Sequence, residues 1–199
     1  MPNFVKNKVI VAHEDLASIA DFMEGEDGAF DFNNLVPMPD ELKGIQCMHD
    51  GEDDVFYRLE DLEKAEVKDL AFADFEGDFP MPRVPTPEWV RKNKIDEFTI
   101  RRLYKDYGAA YWHEWCVDNW GTKWPASEVD TKVVADRLVF NFFTAWDPPF
   151  PIISKFMEHA KKTGGRVEWQ FQYEEDYMQE DYVHGHKATT HTIRSEDLK

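Results

Sequence analysis

Cysteine is scarce in this chain: Cys47 and Cys116 are the two cysteines among 199 residues, and they lie in different sequence contexts. A disulfide framework would need more of them, so a disulfide-stabilised extracellular scaffold is excluded. Long hydrophobic runs are also missing, because no stretch approaches the roughly 20 apolar residues that cross a bilayer. The first residues lack the apolar core of a secretory signal. We therefore expect a soluble cytosolic protein with reduced thiols and no membrane association.

Basic residues are outnumbered, with 23 Lys and Arg against 40 Asp and Glu and a formal net charge of −17. An excess of this size repels phosphate backbones at long range, so direct nucleic-acid binding is not expected. Hydrophobic residues make up 42% of the chain. This content is enough for one large domain with a core, and it excludes wholesale disorder.

Motifs of nucleotide binding and nucleophilic catalysis are absent as well, since the chain has neither a Gly-rich phosphate loop nor a Gly-x-Ser-x-Gly elbow. Cys116 lies in an aromatic segment, where burial would raise its pKa and suppress its reactivity. His113, Glu114 and Cys116 lack the further ligands that a zinc site requires. Three histidines near the end of the chain are expected to face solvent: His184, His186 and His191. We expect no catalytic residue, no metal and no cofactor, and the balance favours a protein that is not an enzyme.

Hydrophobic periodicity predicts a strand–helix–strand half in residues 8–37. Its parts are a buried strand at 9–12, a helix that starts at Leu16 and is stopped by Gly25, and an extended segment at 30–35.

A second half of the same kind is predicted in residues 134–173. A strand at 138–143 has apolar residues on both sides and is expected to be covered on both faces. A helical stripe at 152–160 and an alternating strand at 167–173 follow. Two such halves predict an α+β fold, a ferredoxin-like sandwich in which a four-stranded antiparallel sheet carries two helices on one face.

Between the halves we predict a mostly helical, acidic and Trp-rich insertion, residues 38–133, within a single domain that covers 1–199. Gly108 and Gly121 are expected to end helices there. The predicted helices lie at 59–66, 88–107 and 109–119. The last segment, 174–199, is acidic and contains histidines.

Tryptophan is concentrated between Tyr107 and Trp124. On a helix, Trp112, Trp115 and Asn119 share one face. Four exposed indoles would create an apolar patch of roughly 600–1,000 Å², larger than most soluble monomers show, so we interpret them as core. The alternative is a ligand cleft lined by Trp112, Asn119, Trp120, Lys123, Trp124 and Trp146.

Two strings in this sequence resemble a known family. Residues 115–124 read Trp-Cys-Val-Asp-Asn-Trp-Gly-Thr-Lys-Trp, and residues 144–149 read Thr-Ala-Trp-Asp-Pro-Pro. With Phe-Asp-Phe-Asn at 30–33 and Pro-Met-Pro at 37–39, they are similar to the YubB-type ferredoxin-like family of bacteriophages and conjugative plasmids. The resemblance implies a ferredoxin-like fold and a mobile-element protein acting in the cytoplasm of a bacterial host. That family has no settled activity, so the resemblance supplies no catalytic residue.

About half of the net negative charge lies in residues 50–78, which contain twelve carboxylates and three basic residues. Such density is typical of a solvated surface that aids solubility. The functional hypothesis is an anionic face that binds a host protein with a basic surface, as a DNA-mimic-like inhibitor of a nucleic-acid-handling defence system would. The candidate partner-binding residues are Asp50, Glu52, Asp53, Asp54, Glu60, Asp61, Glu63, Glu66, Asp69, Asp74, Glu76, Asp78, Glu174, Glu175 and Asp176.

The polar side of the strand at 167–173 carries Arg166, Glu168, Gln170 and Gln172. Ferredoxin-like sheets bind RNA by stacking bases on exposed aromatic residues beside Lys and Arg. With one positive charge and no aromatic residue, this face is not expected to do so. Two hypotheses therefore remain open, a non-enzymatic host-binding protein and a small-ligand protein or enzyme that uses the Trp-rich cleft. The oligomeric state is left open.

Overall fold

The computed structural model describes residues 3–50, 53–66, 70–71, 84–173 and 190–197. The chain divides into two compact units. The first comprises Met1–Pro37 and Cys116–Lys199, and the second is Met38–Trp115. The second unit therefore begins where the insertion was expected to begin but ends at Trp115 rather than Val133.

The described residues contain strands and helices in alternation. The strands are β1 (Phe4–Ala12), β2 (Ile45–Asp50), β3 (Asp53–Arg58), β4 (Leu70–Ala71), β5 (Val84–Pro85), β6 (Ser127–Val134), β7 (Arg137–Ala145), β8 (Arg166–Tyr173) and β9 (His191–Arg194). The helices are α1 (Leu16–Met23), α2 (Asp40–Lys43), α3 (Leu59–Glu63), α4 (Pro87–Asn93), α5 (Glu97–Tyr107), α6 (Trp112–Trp120) and α7 (Phe150–Lys162), with a 3₁₀ turn at Phe32–Asn34.

The first unit is built on one sheet of strand order β6-β7-β1-β8-β9, in which every neighbouring pair is antiparallel. The fold is α+β, as expected, but the sheet has five strands where four were predicted. The fifth is β9, whose residues pair with β8 from Glu168–Arg194 to Phe171–His191. Its four residues contain no long apolar alternation, which is why periodicity did not indicate it.

The segment 30–35, predicted to be a strand, is not one. Phe30 and Phe32 are both buried, and the ring centroid of Phe30 lies 4.9 Å from that of Phe140. Between them, the Asp31 carboxylate accepts the backbone N–H of Asn33 at 2.8 Å and caps the 3₁₀ turn. The apolar alternation therefore reflects two rings anchored in the core on either side of a turn residue.

One face of this sheet packs against α1 and α7. Val9, Phe140 and Trp169 point to this side and are buried, together with Ile19 of α1 and Phe156 of α7. This face forms the core of the unit.

The opposite face carries the other residues of each strand, among them Lys6, Lys8, Asn141 and Phe143, and solvent reaches all four. The strand at 138–143 was expected to be covered on both faces, and on this second face Val139 is buried whereas Asn141 and Phe143 are only half-buried. The apolar neighbours of these residues in the sequence face the core instead.

The second unit contains the β2–β3 hairpin and a core around Tyr57, Trp89 and Val90. The helix predicted over 88–107 is two helices, because Asp96 accepts the backbone N–H of Thr99 at 2.9 Å and starts α5 as an N-cap. The predicted stop at Gly108 is confirmed, since this residue ends α5 with φ 75°.

Candidate functional site

Two strings that carry the family resemblance pack against each other in the first unit. Thr122, in the loop after α6, is buried, and its hydroxyl donates to the carbonyl oxygen of Ala145 at 2.8 Å. Beside it, Gly121 has φ 77°, and a Cβ there would lie 2.8 Å from Cδ of Pro151. The loop 121–124 is therefore held against the end of β7 and the first turn of α7.

This packing brings Lys123 to two indoles. The Lys123 ammonium lies 4.6 Å from the ring centroid of Trp124 and 4.8 Å from that of Trp146. Trp146 has φ 72°, a conformation that is strained for a bulky residue, and its backbone N–H donates to Asn3 O at 2.7 Å. Since the chain supplies the cation that both rings contact, this cluster makes its cation–π interactions internally.

The other residues of the predicted cleft have different surroundings. Trp120 is fully buried, and its indole N–H donates to Val36 O at 2.8 Å, so it is a core residue of the first unit. Trp112 belongs to the second unit and donates to Gln46 Oε1 at 3.0 Å. Asn119 is half-buried, whereas Trp124 and Trp146 are 38% and 43% exposed. Solvent reaches the last two indoles most easily.

The cysteine thiols are held in their neutral form. Burial raises the pKa of Cys116 to about 12, with a smaller contribution from the charge of Asp27, as expected for a thiol in this aromatic segment. Burial, with Asp54 nearby, raises the pKa of Cys47 to about 11. No basic side chain in the described part of the chain lowers the pKa of either thiol, as a cation beside an activated nucleophile would.

The histidines considered as metal ligands are not gathered into a site within the described residues, where no three His, Cys, Asp or Glu side chains lie close enough to hold a metal ion. His191, on β9, stacks on Phe171 with ring centroids 4.8 Å apart. His184 and His186 lie outside the described residues.

The fifteen acidic candidates are described only in part. The side chains that the structure describes are those of Asp53, Asp54, Glu60, Asp61, Glu63 and Glu66, all on β3, α3 or the residues that follow, and all but the half-buried Asp61 are exposed. Asp50 ends β2, but its side chain lies outside the described part. So do Glu52, Asp69, Asp74, Glu76, Asp78, Glu174, Glu175 and Asp176.

Two ion pairs that involve described carboxylates of β3 and α3 are weak. His49 lies 3.4 Å from Asp54, and Arg58 lies 3.9 Å from Glu60, and all four side chains are mostly exposed. Exposed pairs of this kind contribute about 0–1 kcal/mol. The carboxylates of β3 and α3 are therefore open to a cationic partner at little energetic cost.

A surface that the sequence did not single out lies on the first unit, on the sheet face opposite α1 and α7. On this face, β7, β1 and β8 align their side chains in cross-strand rows. Phe143, Lys6 and Gln172 form one row, and Asn141, Lys8 and Gln170 form the next. A groove of about 360 Å³ lies over these six residues and is also lined by Glu128 and Asp130. We call it the sheet-face groove. No local pattern in the sequence indicates this groove, because its three strands are far apart in the chain.

Basic side chains are concentrated on this face. Among the described residues, six Lys and Arg side chains lie there: Lys6, Lys8, Lys132, Arg137, Arg166 and Arg194. The expectation of one positive charge and no aromatic residue is wrong, because it counted β8 alone, and β1 and β7 add two lysines and Phe143 to its polar side.

Carboxylates on the face neutralise part of this charge. Lys132 pairs with Asp130 at 2.9 Å, and Arg194 pairs with Glu168 at 3.0 Å. A hydrogen bond from Gln170 and the bond from Arg194 lower the pKa of Glu168. Neither Lys6 nor Lys8 has an ion pair with any residue in the described ranges.

Comparison with protein-family models, with curated proteins and with solved structures found no significant match to this chain. The family resemblance of the two strings accordingly stays a prediction. No helix among the residues that the structure covers has the length and apolar character needed to span a membrane.

Proposed function

We propose that this chain is a non-enzymatic binding protein of a phage or plasmid, which contacts a host protein with a basic surface through its acidic residues in the bacterial cytoplasm. The partner class that fits best is a nucleic-acid-handling defence factor, whose basic groove a carboxylate-rich protein can occupy in place of DNA. The observation that carries the proposal is the set of exposed carboxylates on β3 and α3.

The electrostatics of these carboxylates support binding to a cationic surface. Asp53, Asp61 and Glu63 form no ion pair with a described residue, and the nearby pairs of Asp54 and Glu60 are weak. A partner's Arg or Lys side chains would therefore gain new contacts without breaking strong ones. Attraction between surfaces of opposite charge also raises the association rate at low salt.

We also propose that the first unit is a ferredoxin-like sandwich extended by one strand, and that the chain is related to the YubB-type family. In the order β6-β7-β1-β8, β6 lies at the edge, and it is the next strand of this sheet along the chain after β1 and α1. The strands before and after α7, β7 and β8, lie on either side of β1. This order, with α1 and α7 on one face, supports the proposal.

Capture experiments with the full chain test the host-binding proposal. The immobilised protein is incubated with bacterial lysate at low and at moderate salt, beside a variant in which six carboxylates are neutralised: Asp53→Asn, Asp54→Asn, Glu60→Gln, Asp61→Asn, Glu63→Gln and Glu66→Gln. We expect a captured protein with a basic surface, retained by the wild type and lost by this variant.

A matched control removes the same charge from the first unit through Glu14→Gln, Asp21→Asn, Glu24→Gln, Glu26→Gln, Asp118→Asn and Glu158→Gln. It should retain the partner. Equal capture by both variants, or the absence of a specific partner at either salt concentration, would contradict the proposal.

A further inference from the structure

We infer that the sheet-face groove binds single-stranded nucleic acid. The inference concerns a different surface from the acidic residues of β3 and α3 and does not depend on the proposed function. It follows from what the strand register brings together: two lysines without ion pairs among the described residues, one partly exposed aromatic ring, and three amide side chains. Two carboxylates, Glu128 and Asp130, also line the groove, and Asp130 is neutralised by Lys132 at 2.9 Å.

Lys6 and Lys8 supply the contacts to phosphate. Both lie on the central strand and point to the same face, so their Cα atoms are about 7 Å apart along the strand. Neighbouring phosphates of an extended single strand have a comparable separation. Because neither ammonium group is engaged in an ion pair with a described carboxylate, each can bind a phosphate oxygen without losing another partner.

Phe143 and Phe4 supply an aromatic surface for a base. Phe143 lies directly opposite Lys6, is partly exposed, and lines the groove. The Phe4 ring packs edge to face with it, with centroids 6.3 Å apart and planes at 80°. Stacking of bases on aromatic side chains is tolerant of sequence, because every base has a π face.

Asn141, Gln170 and Gln172 add hydrogen-bonding groups on the same face. Asn141 donates one N–H to Asp130 at 3.3 Å and Gln170 donates one to Glu168 at 2.7 Å, which leaves the amide oxygen and the second N–H of each. An amide side chain both donates and accepts, so it matches the mixed donors and acceptors on the edge of an unpaired base. An acidic peptide would satisfy the two lysines but would have no matching use for the aromatic ring and the amides. This combination favours a nucleic acid strand over an acidic peptide.

The net charge of −17 does not exclude this site. At physiological salt the Debye length is about 8 Å, so carboxylates farther away are largely screened. The charges on the sheet face itself therefore determine whether a phosphate binds there. A duplex presents its bases internally and engages a longer stretch of surface, so the rest of the acidic protein would repel it. We therefore assign the site to a single strand.

Fluorescence anisotropy tests the assignment with the full chain and a labelled single-stranded oligonucleotide of about ten nucleotides. At about 50 mM salt we expect saturable binding. The double variant Lys6→Gln, Lys8→Gln should weaken it about tenfold or more. Its slope of log Kd against log salt should be smaller by about 1.4, because each phosphate contact contributes about 0.7 for a single strand. Phe143→Leu should weaken binding about tenfold by removing the ring while keeping an apolar contact with Phe4.

The matched control is Lys161→Gln, Lys162→Gln, which removes two charges from exposed positions at the end of α7. Its affinity should match that of the wild type within about twofold, and circular dichroism should show all variants folded. The inference would be overturned by no saturable binding to the wild type, or by equal losses in the two lysine variants. Competition by polyglutamate, by a duplex or by a nucleoside monophosphate as strong as that by the oligonucleotide would overturn it as well.

Discussion

The indole N–H of Trp169 on β8 donates to Oδ1 of Asn7 on β1 at 3.1 Å, and both side chains are buried. The Asn7 amide donates in turn to Oγ1 of Thr144 on β7 at 3.0 Å, and the Thr144 hydroxyl donates to Asp147 O at 2.9 Å. One chain of hydrogen bonds thus joins the central strand to both neighbours and to the loop that carries Trp146. Such a network stabilises a core when all its members are bonded.

Replacing Asn7 should therefore be costly. In Asn7→Leu, the Trp169 N–H loses its acceptor and Thr144 loses a donor, and we expect the free energy of unfolding to fall by about 3 kcal/mol. Urea denaturation followed by circular dichroism measures the change. The neighbouring exposed residue provides the control, since Lys8→Gln should change stability by less than about 0.5 kcal/mol. Equal stability of the two variants would contradict this account of the network.

A side chain at position 121 should destabilise the first unit. Gly121→Ala combines φ 77° with a Cβ that would lie 2.8 Å from Pro151, and we expect a loss of about 2 kcal/mol or more. Gly44→Ala is the matched change, because a Cβ at Gly44 meets nothing within 4 Å and its φ is negative. Thermal unfolding should separate the two variants clearly. A Gly121→Ala protein as stable as Gly44→Ala would mean that the loop can move away from α7.

Two substitutions in the turn between β6 and β7 should make the protein more stable. Ala135 and Asp136 both have positive φ, 55° and 88°, as in the two-residue hairpin turns that favour Asn-Gly. The double change Ala135→Asn, Asp136→Gly should raise the free energy of unfolding by about 1 kcal/mol because it removes left-handed strain. Urea denaturation checks it, with Ala135→Val as the opposite case, which should be less stable than the wild type. A loss of stability in the Asn-Gly protein would refute the turn geometry.

Both thiols should resist modification in the folded protein. Folded pKa values of about 12 for Cys116 and about 11 for Cys47 exceed the unfolded value of about 8.5, so at pH 8 a disulfide reagent should react quickly only after denaturation. The raised pKa values make the stability of the protein depend on pH. Above about pH 8.5 the folded state binds more protons than the unfolded state, so the free energy of unfolding falls as pH rises. The stabilising contribution of the two thiols is therefore fully present below about pH 8.5. Their contribution is lost as pH rises towards 11–12. Cys116→Ala should show a shallower decline over this window, and fast labelling of the native wild type would contradict the burial.

Tryptophan fluorescence should report on the cluster of Lys123, Trp124 and Trp146. Lys123→Met should change the indole emission and lower stability by about 0.5–1 kcal/mol, the range for a cation–π contact at a solvent-accessible site. Lys8→Met, on an exposed strand position, should leave the emission unchanged. Titration of the wild type with metabolites and nucleotides should give a flat response from these indoles. Saturable quenching that Lys123→Met abolishes would instead favour the ligand-cleft hypothesis.

Local sequence patterns predicted several elements correctly. The apolar stripe at 152–160 corresponds to α7, the alternation at 167–173 to β8, and Gly108 to the end of α5. These features depend on residues a few positions apart, so periodicity and chain-breaking glycines are sufficient to find them. Periodicity gave the wrong element at 30–35, because the Asp31 carboxylate caps a 3₁₀ turn where a strand was predicted. It also predicted one helix over 88–107, because it does not register the N-cap at Asp96 that starts a second helix.

The sequence by itself determined that the chain has enough apolar residues for a core and is strongly acidic in 50–78. It also determined the helices and strands at the positions where local periodicity is strong. Only the tertiary structure decided which strands are neighbours, and thus that Phe143, Lys6 and Gln172 share one row on an otherwise acidic protein. The physical reason is that a strand's partners are chosen by backbone hydrogen bonds and by burial of the opposite face across more than a hundred residues of chain, a choice that no local pattern records.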